Sequence, residues 1–480
     1  MKILLLTALI LFGAEAVAQT GILWNQPFDI ATAASGNNHP RITTDANGNP
    51  LVVWNHANRA MFSRWNGVSF TTPVLVNPAG IDVAGASWMG PDIASHGDTV
   101  YIVFKQVPEN VDSCHIFCTR SFNGGLTFDN PVQVDNIADS LSRFPTITTD
   151  ESGNPVIGFM KFNAAFLESR WVVTRSSDYG LSFTVDTKAS GWSSPTSVIC
   201  DCCPGAVVSA GNTVAMLYRD NNSDIRDIWT GISSDGGNSF NGGMNIDQNS
   251  WVINACPATG PDGVIIGDTL YSTFMSGAGG NSLVYRSAAS LSGMAGSQSI
   301  ELTGNFSGLS QQNYPRIASD GTALAIVWKQ RVNGIDQCIL RFSEEAGTFA
   351  NAGTDTIDLD NVTNADVALA GGKIFVVWED DASGTIRFRS GNYSSSTNFN
   401  YPEFENTVSI YPNPAISQVQ IRSEKMVDEV LVYNLLGEIV YPLFPKKMEF
   451  QISLGNSGTY IIHIKAGNSI VKKELRSFRY

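Results

Sequence analysis

Gly90-Pro91-Asp92-Ile93-Ala94-Ser95-His96-Gly97-Asp98-Thr99-Val100-Tyr101-Ile102-Val103-Phe104 returns 170 residues later as Gly260-Pro261-Asp262-Gly263-Val264-Ile265-Ile266-Gly267-Asp268-Thr269-Leu270-Tyr271-Ser272-Thr273-Phe274. Each copy reads as a short strand, a Gly-Asp turn and an apolar second strand ending in an aromatic. The same frame, a Pro with an aromatic 13 or 14 positions on, recurs at Pro40/Trp54, Pro145/Phe159, Pro204/Tyr218 and Pro315/Trp328. Ala365/Trp378 repeats it with Ala for Pro, which makes seven units whose aromatics lie 50 to 59 residues apart. A period of that length built from short strands predicts a β-propeller, whose sheets bury their faces against their neighbours.

Working outward, tight turns such as Asp45-Ala46-Asn47-Gly48, Asp150-Glu151-Ser152-Gly153 and Asp320-Gly321 join the first and second strands. Gly21 to Ile30 looks like the closing strands of other repeats, for example Phe128 to Ile137, and is expected to supply the outer strand of the last repeat. The predicted class is all-β, a seven-bladed propeller with six blades as the alternative.

Only 15% of the 480 residues are charged, and the formal net charge is −14. With no Lys/Arg cluster to offset it, that charge excludes nucleic acid and anionic membrane as partners. Residues 1–18 carry Lys2, an apolar stretch from Ile3 to Phe12, and Ala16-Val17-Ala18, the pattern of a cleaved secretory signal. The apolar stretch is far shorter than the ~20 residues of a membrane span. Export is the expectation, and with it a compartment where disulfides persist.

A second signature, S-x-D-x-G-x-x-F, occurs at Ser176 to Phe183 and Ser233 to Phe240, and with Asn123 for the acid at Ser121 to Phe128. Ser63 to Phe70 and Ser343 to Phe349 read as eroded copies. These resemble the Asp-boxes of the sialidase-like propeller superfamily. The resemblance gives Asn123, Asp178 and Asp235 a structural role, capping a hairpin's N–H groups while the aromatic plugs between sheets. Asx chemistry alone leads to the same reading.

The domain expectation is a signal at 1–18, the propeller over 19–397, a linker at 398–407 and a small immunoglobulin-like sandwich over 408–480. In the last segment, Ile410-Tyr411-Pro412-Asn413-Pro414, Val432-Tyr433-Asn434-Leu435-Leu436-Gly437, Gly458-Thr459-Tyr460-Ile461-Ile462 and Lys472-Lys473 follow in order. They resemble the C-terminal sorting domain of type IX secretion cargo in Bacteroidota. That resemblance implies the type IX machinery and its sortase as partners, with cell-surface or extracellular delivery.

Propeller geometry puts the residues before each Pro and after each second-strand aromatic on one rim, the default site. The richest stretches there are Cys200-Asp201-Cys202-Cys203-Pro204, Arg219-Asp220 through Asp224-Ile225-Arg226-Asp227, and Trp251 to Pro257 with Asn254 and Cys256. Taken together they look like a subgroup of bacterial Asp-box proteins labelled sialidase-like. Arg219 and Arg226 could clamp an acidic sugar and Asp220, Asp224 or Asp227 could protonate it. The reading favoured over that clamp is that these side chains pair with one another to order a long loop. Further rim candidates are Arg41, Arg143, Tyr314, Arg316, Arg331, Glu379 and Asp380, with His39 and His56 on the same rim.

Seven cysteines leave at least one unpaired. Cys256 is expected in a disulfide that staples its entry loop to the neighbouring one of Cys203, and a Cys202–Cys203 bond could accompany it. A soft metal, Cu(I) or Zn, held by Cys200, Cys202, Cys203 and Cys256 is the second reading. A nucleophilic cysteine is the third, without a recognisable base partner.

A sialidase needs an arginine triad, a Tyr/Glu pair and an Asp acid. The superfamily's Arg-Ile-Pro motif is absent, since His39-Pro40-Arg41-Ile42 runs in another order, and no Tyr/Glu pair is assignable. The expected function is therefore recognition of an extracellular glycan or glycoprotein by a monomer without a cofactor. A glycoside hydrolase or lyase on an anionic glycan is the alternative, and a cysteine-based metal or redox site a further one.

Overall fold

The structure, a computed structural model, describes residues 20–31, 35–136, 140–296, 299–304, 306–393, 408–413, 415, 418–434, 439–466 and 469–477. The expected leader and linker lie outside them, as do Leu435, Leu436 and Gly437. The chain divides into two compact units, Met1–Ser395 and Ser396–Tyr480.

Among the described residues, the first unit contains seven antiparallel sheets of four or five strands. Its only helical turn among the described residues is the 3-10 segment Ala346–Asn351, which takes up the eroded Ser343 to Phe349 copy. The first strands of the sheets are Asn37–Thr44, Asp92–His96, Ser140–Thr149, Ala206–Ala210, Asp262–Ile266, Leu309–Ser319 and Val362–Ala370. Each touches the next in chain order, and the last touches the first, so the sheets form a closed, propeller-like cycle.

The repeat's Pro and aromatic prove to be cross-strand neighbours. Asp92 pairs with Val103 and Asp262 with Thr273, setting Pro91 against Phe104 and Pro261 against Phe274. All seven repeat aromatics are buried, each stabilising its sheet by about 1.5–3 kcal/mol relative to exposure.

In three repeats the first strand begins well before the Pro, where the sequence reading started it. Proline has no N–H to give the ladder, so two residues bulge opposite one aromatic. His39-Pro40 faces Trp54, Phe144-Pro145 faces Phe159, and Tyr314-Pro315 faces Trp328. The bulged His39, Phe144 and Tyr314 have φ of 53°, 51° and 50°. That left-handed conformation is costly for side chains of this size.

In three repeats the aspartate that follows Pro91, Pro261 or Ala365 joins neighbouring sheets. Asp366 Oδ2 accepts the Ile42 N–H at 3.0 Å, Asp92 Oδ2 the Ile147 N–H at 3.1 Å, and Asp262 Oδ2 the Ile317 N–H at 2.9 Å. The last sheet is completed by the start of the chain, as expected. Leu23 and Trp24 pair with Asn392 and Gly391, and Phe28 and Asp29 with Phe388 and Arg387.

At the hairpins between third and fourth strands, Asp178 Oδ1 accepts the Ser182 N–H at 2.9 Å while Ser176 Oγ accepts the Gly180 N–H at 2.7 Å. Asp235 and Asn123 accept the Ser239 and Thr127 N–H groups in the same way. Hydrogen bonds from two serine hydroxyls hold the Asp178 and Asp235 carboxyls down at about 2.

In the second unit, a three-stranded and a four-stranded sheet enclose one core that includes Val419, Ile421, Val430, Val432, Ile452, Ile462 and Leu475. Among the described residues, no helix is long and apolar enough to cross a membrane.

Candidate functional site

Two places collect chemistry. The first is the mouth of the central channel, where entry residues from all seven repeats line a small cavity of about 60 Å³. Its wall carries His39, Trp88, Phe144 and Tyr314, with Arg41, Arg316 and Asp92 beneath. On the far side of these charged residues the channel widens to about 370 Å³ between the inner strands.

The floor is a charge network. Arg316 Nε lies 3.3 Å from both Asp262 Oδ2 and Asp366 Oδ1. Burial works against the Arg316 charge, yet these two carboxylates hold its pKa above the usual value. Arg41 donates from Nη1 to the Pro40 carbonyl at 2.7 Å, and burial, with Arg316 nearby, brings it down to about 10. Burial and the two arginines push His39 well below its ordinary pKa, so its ring is neutral. Glu379 sits behind, accepting the His39 N–H at 3.2 Å and the Asn364 amide at 3.0 Å. Burial raises its carboxyl.

Trp88 is 38% exposed and lines the cavity. Of the rim residues expected from sequence, Arg41, Tyr314 and Arg316 meet here with His39. Arg143 is turned to Glu109 at 2.9 Å and lies over the Phe144 ring. Arg331 stays half-exposed, 3.9 Å from Asp336, and Asp380 caps the Ala382 N–H. Asn254 is exposed beside Cys256. Trp88 and Phe144 escaped the sequence reading. Phe144 carried a signal, because it stands directly before a repeat Pro.

The second place is the fourth and fifth repeats. Arg219, fully buried, donates to the carbonyls of Thr259 at 3.3 Å, Arg226 at 2.7 Å and Met275 at 2.7 Å, and stacks on Trp251. These bonds occupy the guanidinium with backbone. Asp227 accepts the Trp251 N–H at 2.9 Å, and Asp224, half-buried, is 3.9 Å from Arg226. Burial pushes Asp220 up to about 6 and Asp247, a residue the sequence reading missed, up to about 7. The geometry is a closed structural knot, with Arg219 and Asp227 facing neighbouring backbone instead of an open sugar clamp.

Its sulfur chemistry is the surprise. Cys256 bonds to Cys202, with S–S 2.02 Å, so the expected staple between the two entry loops forms through Cys202, and a coexisting Cys202–Cys203 bond is ruled out. Cys200 and Cys203 are left as buried thiols with sulfurs 2.9 Å apart. Arg226 donates from Nη1 to Cys200 Sγ at 3.0 Å. The hydrogen bond from Cys203 and then Arg226 and Arg219 overcome burial and bring Cys200 down to about 6, while burial drives Cys203 well above its usual value. The sulfurs of Cys200, Cys202 and Cys203 are close enough for one metal ion. Cys202, however, is spent in the disulfide, and an arginine touches Cys200. A cationic neighbour suits an anionic sulfur and disfavours a metal cation. Cys114, Cys118 and Cys338 are buried and free.

Residues 409–475 match the family model described as a secretion system C-terminal sorting domain. The match marks the chain as type IX secretion cargo, delivered to the cell surface or the extracellular space, and implies interaction with that machinery. No curated protein matches the chain. Among solved structures, a protein of unknown function from Dyadobacter fermentans is 10% identical, covering 78% of this chain and 100% of its own at a TM-score of 0.48. PorZ, a surface component of the type IX secretion system of Porphyromonas gingivalis, is 10% identical over 94% of this chain and 60% of its own, TM-score 0.45. A PL25 ulvan lyase is 10% identical over 75% and 94%, TM-score 0.49. Likenesses of this depth carry nothing about activity.

Proposed function

We propose that the first unit is a seven-bladed, sialidase-like β-propeller that recognises an extracellular glycan or glycoprotein at its channel mouth. The second unit is then an immunoglobulin-like sorting tag that a sortase removes. One observation carries the reading. Three bulky residues, His39, Phe144 and Tyr314, hold left-handed backbone at the mouth where entry residues of all seven repeats converge. Backbone outliers of this kind, held here by the proline bulges, cluster at ligand-binding sites.

The exposed Trp88 face suits the apolar face of a sugar ring, and the arginines beneath suit an acidic substituent. The test is a glycan array on the exported chain, comparing acidic and neutral glycans for the wild type and Trp88→Ala. Binding is expected to weaken about tenfold in the variant, equivalent to ~1.4 kcal/mol. Equal binding by both proteins, or no acidic glycan bound, sinks the proposal.

The neutral His39 ring beside Tyr314 and two arginines favours a second reading, lyase chemistry on a uronic acid. Appearance of unsaturated uronate product from any glycan bound on the array would establish it, and binding without product would exclude it.

A further inference from the structure

Four sulfurs in the fourth and fifth repeats adjoin one another from buried to exposed, those of Cys200, Cys202 and Cys203 within 4.8 Å of one another. Cys203 and Cys200 are both fully buried, 2.9 Å apart. Cys200 Sγ is next 3.5 Å from Cys202 Sγ, which is bonded to the exposed Cys256. Nothing in solution reaches the inner pair directly, whereas Cys256 sits on the surface loop.

The attacking group in thiol–disulfide exchange is a thiolate placed against a disulfide sulfur. Arg226, 3.0 Å from Cys200 Sγ, is the cation that stabilises such a thiolate. Arg226 is itself fixed, because its Nε donates to the Ile253 carbonyl at 3.1 Å and its carbonyl accepts from Arg219. A purely structural staple would need Cys202 and Cys256 alone. The second pair and the arginine have no part in holding it.

We infer that Cys200, Cys202, Cys203 and Cys256 form a thiol–disulfide relay that transfers electrons from the buried Cys200/Cys203 dithiol to a small-molecule disulfide at the surface. The Cys200 thiolate attacks Cys202 Sγ. The Cys200–Cys202 bond forms, the Cys202–Cys256 bond breaks, and Cys256 leaves as a thiolate. Cys256 then attacks the external disulfide RSSR, giving a Cys256–SR mixed disulfide and RS⁻. Cys203 attacks Cys200, forming Cys200–Cys203 and releasing Cys202. Cys202 finally attacks Cys256–SR, restoring Cys202–Cys256 and releasing the second RS group. One dithiol is oxidised and one RSSR is reduced, with the Cys203 proton carried away on one of the two RS groups. This relay stands apart from glycan recognition and does not depend on it.

The probe is oxidised glutathione, added to the exported chain near neutral pH. Samples are quenched in acid, alkylated and mapped for disulfides by mass spectrometry. The wild type should end with Cys200–Cys203 and Cys202–Cys256 both bonded. Cys203→Ser, which leaves the resting Cys202–Cys256 bond in place, should stall with Cys200–Cys202 bonded and glutathione held on Cys256. Cys256→Ser should slow oxidation of the inner pair by at least about 100-fold. Arg226→Gln should slow it about tenfold near neutral pH and recover as the pH rises.

Glutathione attached directly to Cys200 or Cys203, or an inner pair that never oxidises, would overturn the relay. Stoichiometric copper or zinc bound to Cys200 and Cys203 in the purified chain would do the same. Should Cys256→Ser fail to fold, the trapped intermediate in Cys203→Ser decides the question alone.

Discussion

Replacing Asp247 with Asn should make the first unit more stable at neutral and alkaline pH and change little in acid. Asp247 is fully buried, and its Oδ1 accepts the Asn249 N–H at 3.1 Å. Burial, with Asp227 adding to it and Arg219 opposing, raises the carboxyl from 3.8 to about 7. In the unfolded chain it titrates near the ordinary value. Between about pH 4 and about pH 7 the folded protein therefore binds the extra proton, and stability falls as pH rises through that window. The shift of about 3 units corresponds to a ceiling of ~4 kcal/mol lost by pH 8. Asn keeps the acceptor for Asn249 and carries no charge, so it escapes the loss. All ten tryptophans precede residue 396, so fluorescence-detected urea unfolding of the whole chain reports this unit alone. The midpoints of wild type and variant should coincide near pH 4 and diverge steadily to pH 8. A constant gap, or a wild type that gains on the variant as pH rises, would refute the reasoning.

Two further substitutions probe the ring itself. Asp366→Ala removes the acceptor for the Ile42 N–H and one of the two carboxylates on Arg316, and should cost about 3–5 kcal/mol in the same unfolding experiment. A loss below about 1 kcal/mol would mean that these bonds do not hold the sheets together. Gly260→Ala would set a Cβ 2.0 Å from the Pro204 carbonyl oxygen, a backbone atom that cannot swing away, whereas Gly279→Ala meets nothing within 4 Å. The first should lose about 3 kcal/mol and the second stay within about 0.5 kcal/mol, measured side by side.

Much of the fold was legible because cyclic repetition writes each constraint several times. The Pro-to-aromatic interval reported a cross-strand contact, and seven copies of it reported seven sheets. What stayed hidden depended on contacts that no interval encodes. His39 and Tyr314 could be placed on a rim, but the bulge that turns them toward the mouth follows from proline's missing N–H within a particular register. Arg219 and Arg226 looked alike as rim charges. Only the third dimension shows that one is consumed by three carbonyls and the other set against a sulfur. Four clustered cysteines permit several pairings, and only the folded chain shows that Cys202 reaches Cys256 while Cys203 lies against Cys200.

The strand pairs that complete the last sheet come from opposite ends of the unit, and Thr20 and Trp24 both bond to Asp355 across separations of 335 and 331 residues. A chain that emerges amino end first must carry this clasp unfastened until its final sheet has appeared. Loop-closure entropy grows only logarithmically with length, so fastening late is thermodynamically cheap, but until then two sheet edges stand open to other chains. The stretch from Thr20 to Asp29 is consequently part of the architecture of the last sheet. Trimming past Trp24 would remove the clasp, and a bulky tag fused there would have to be accommodated at the seam.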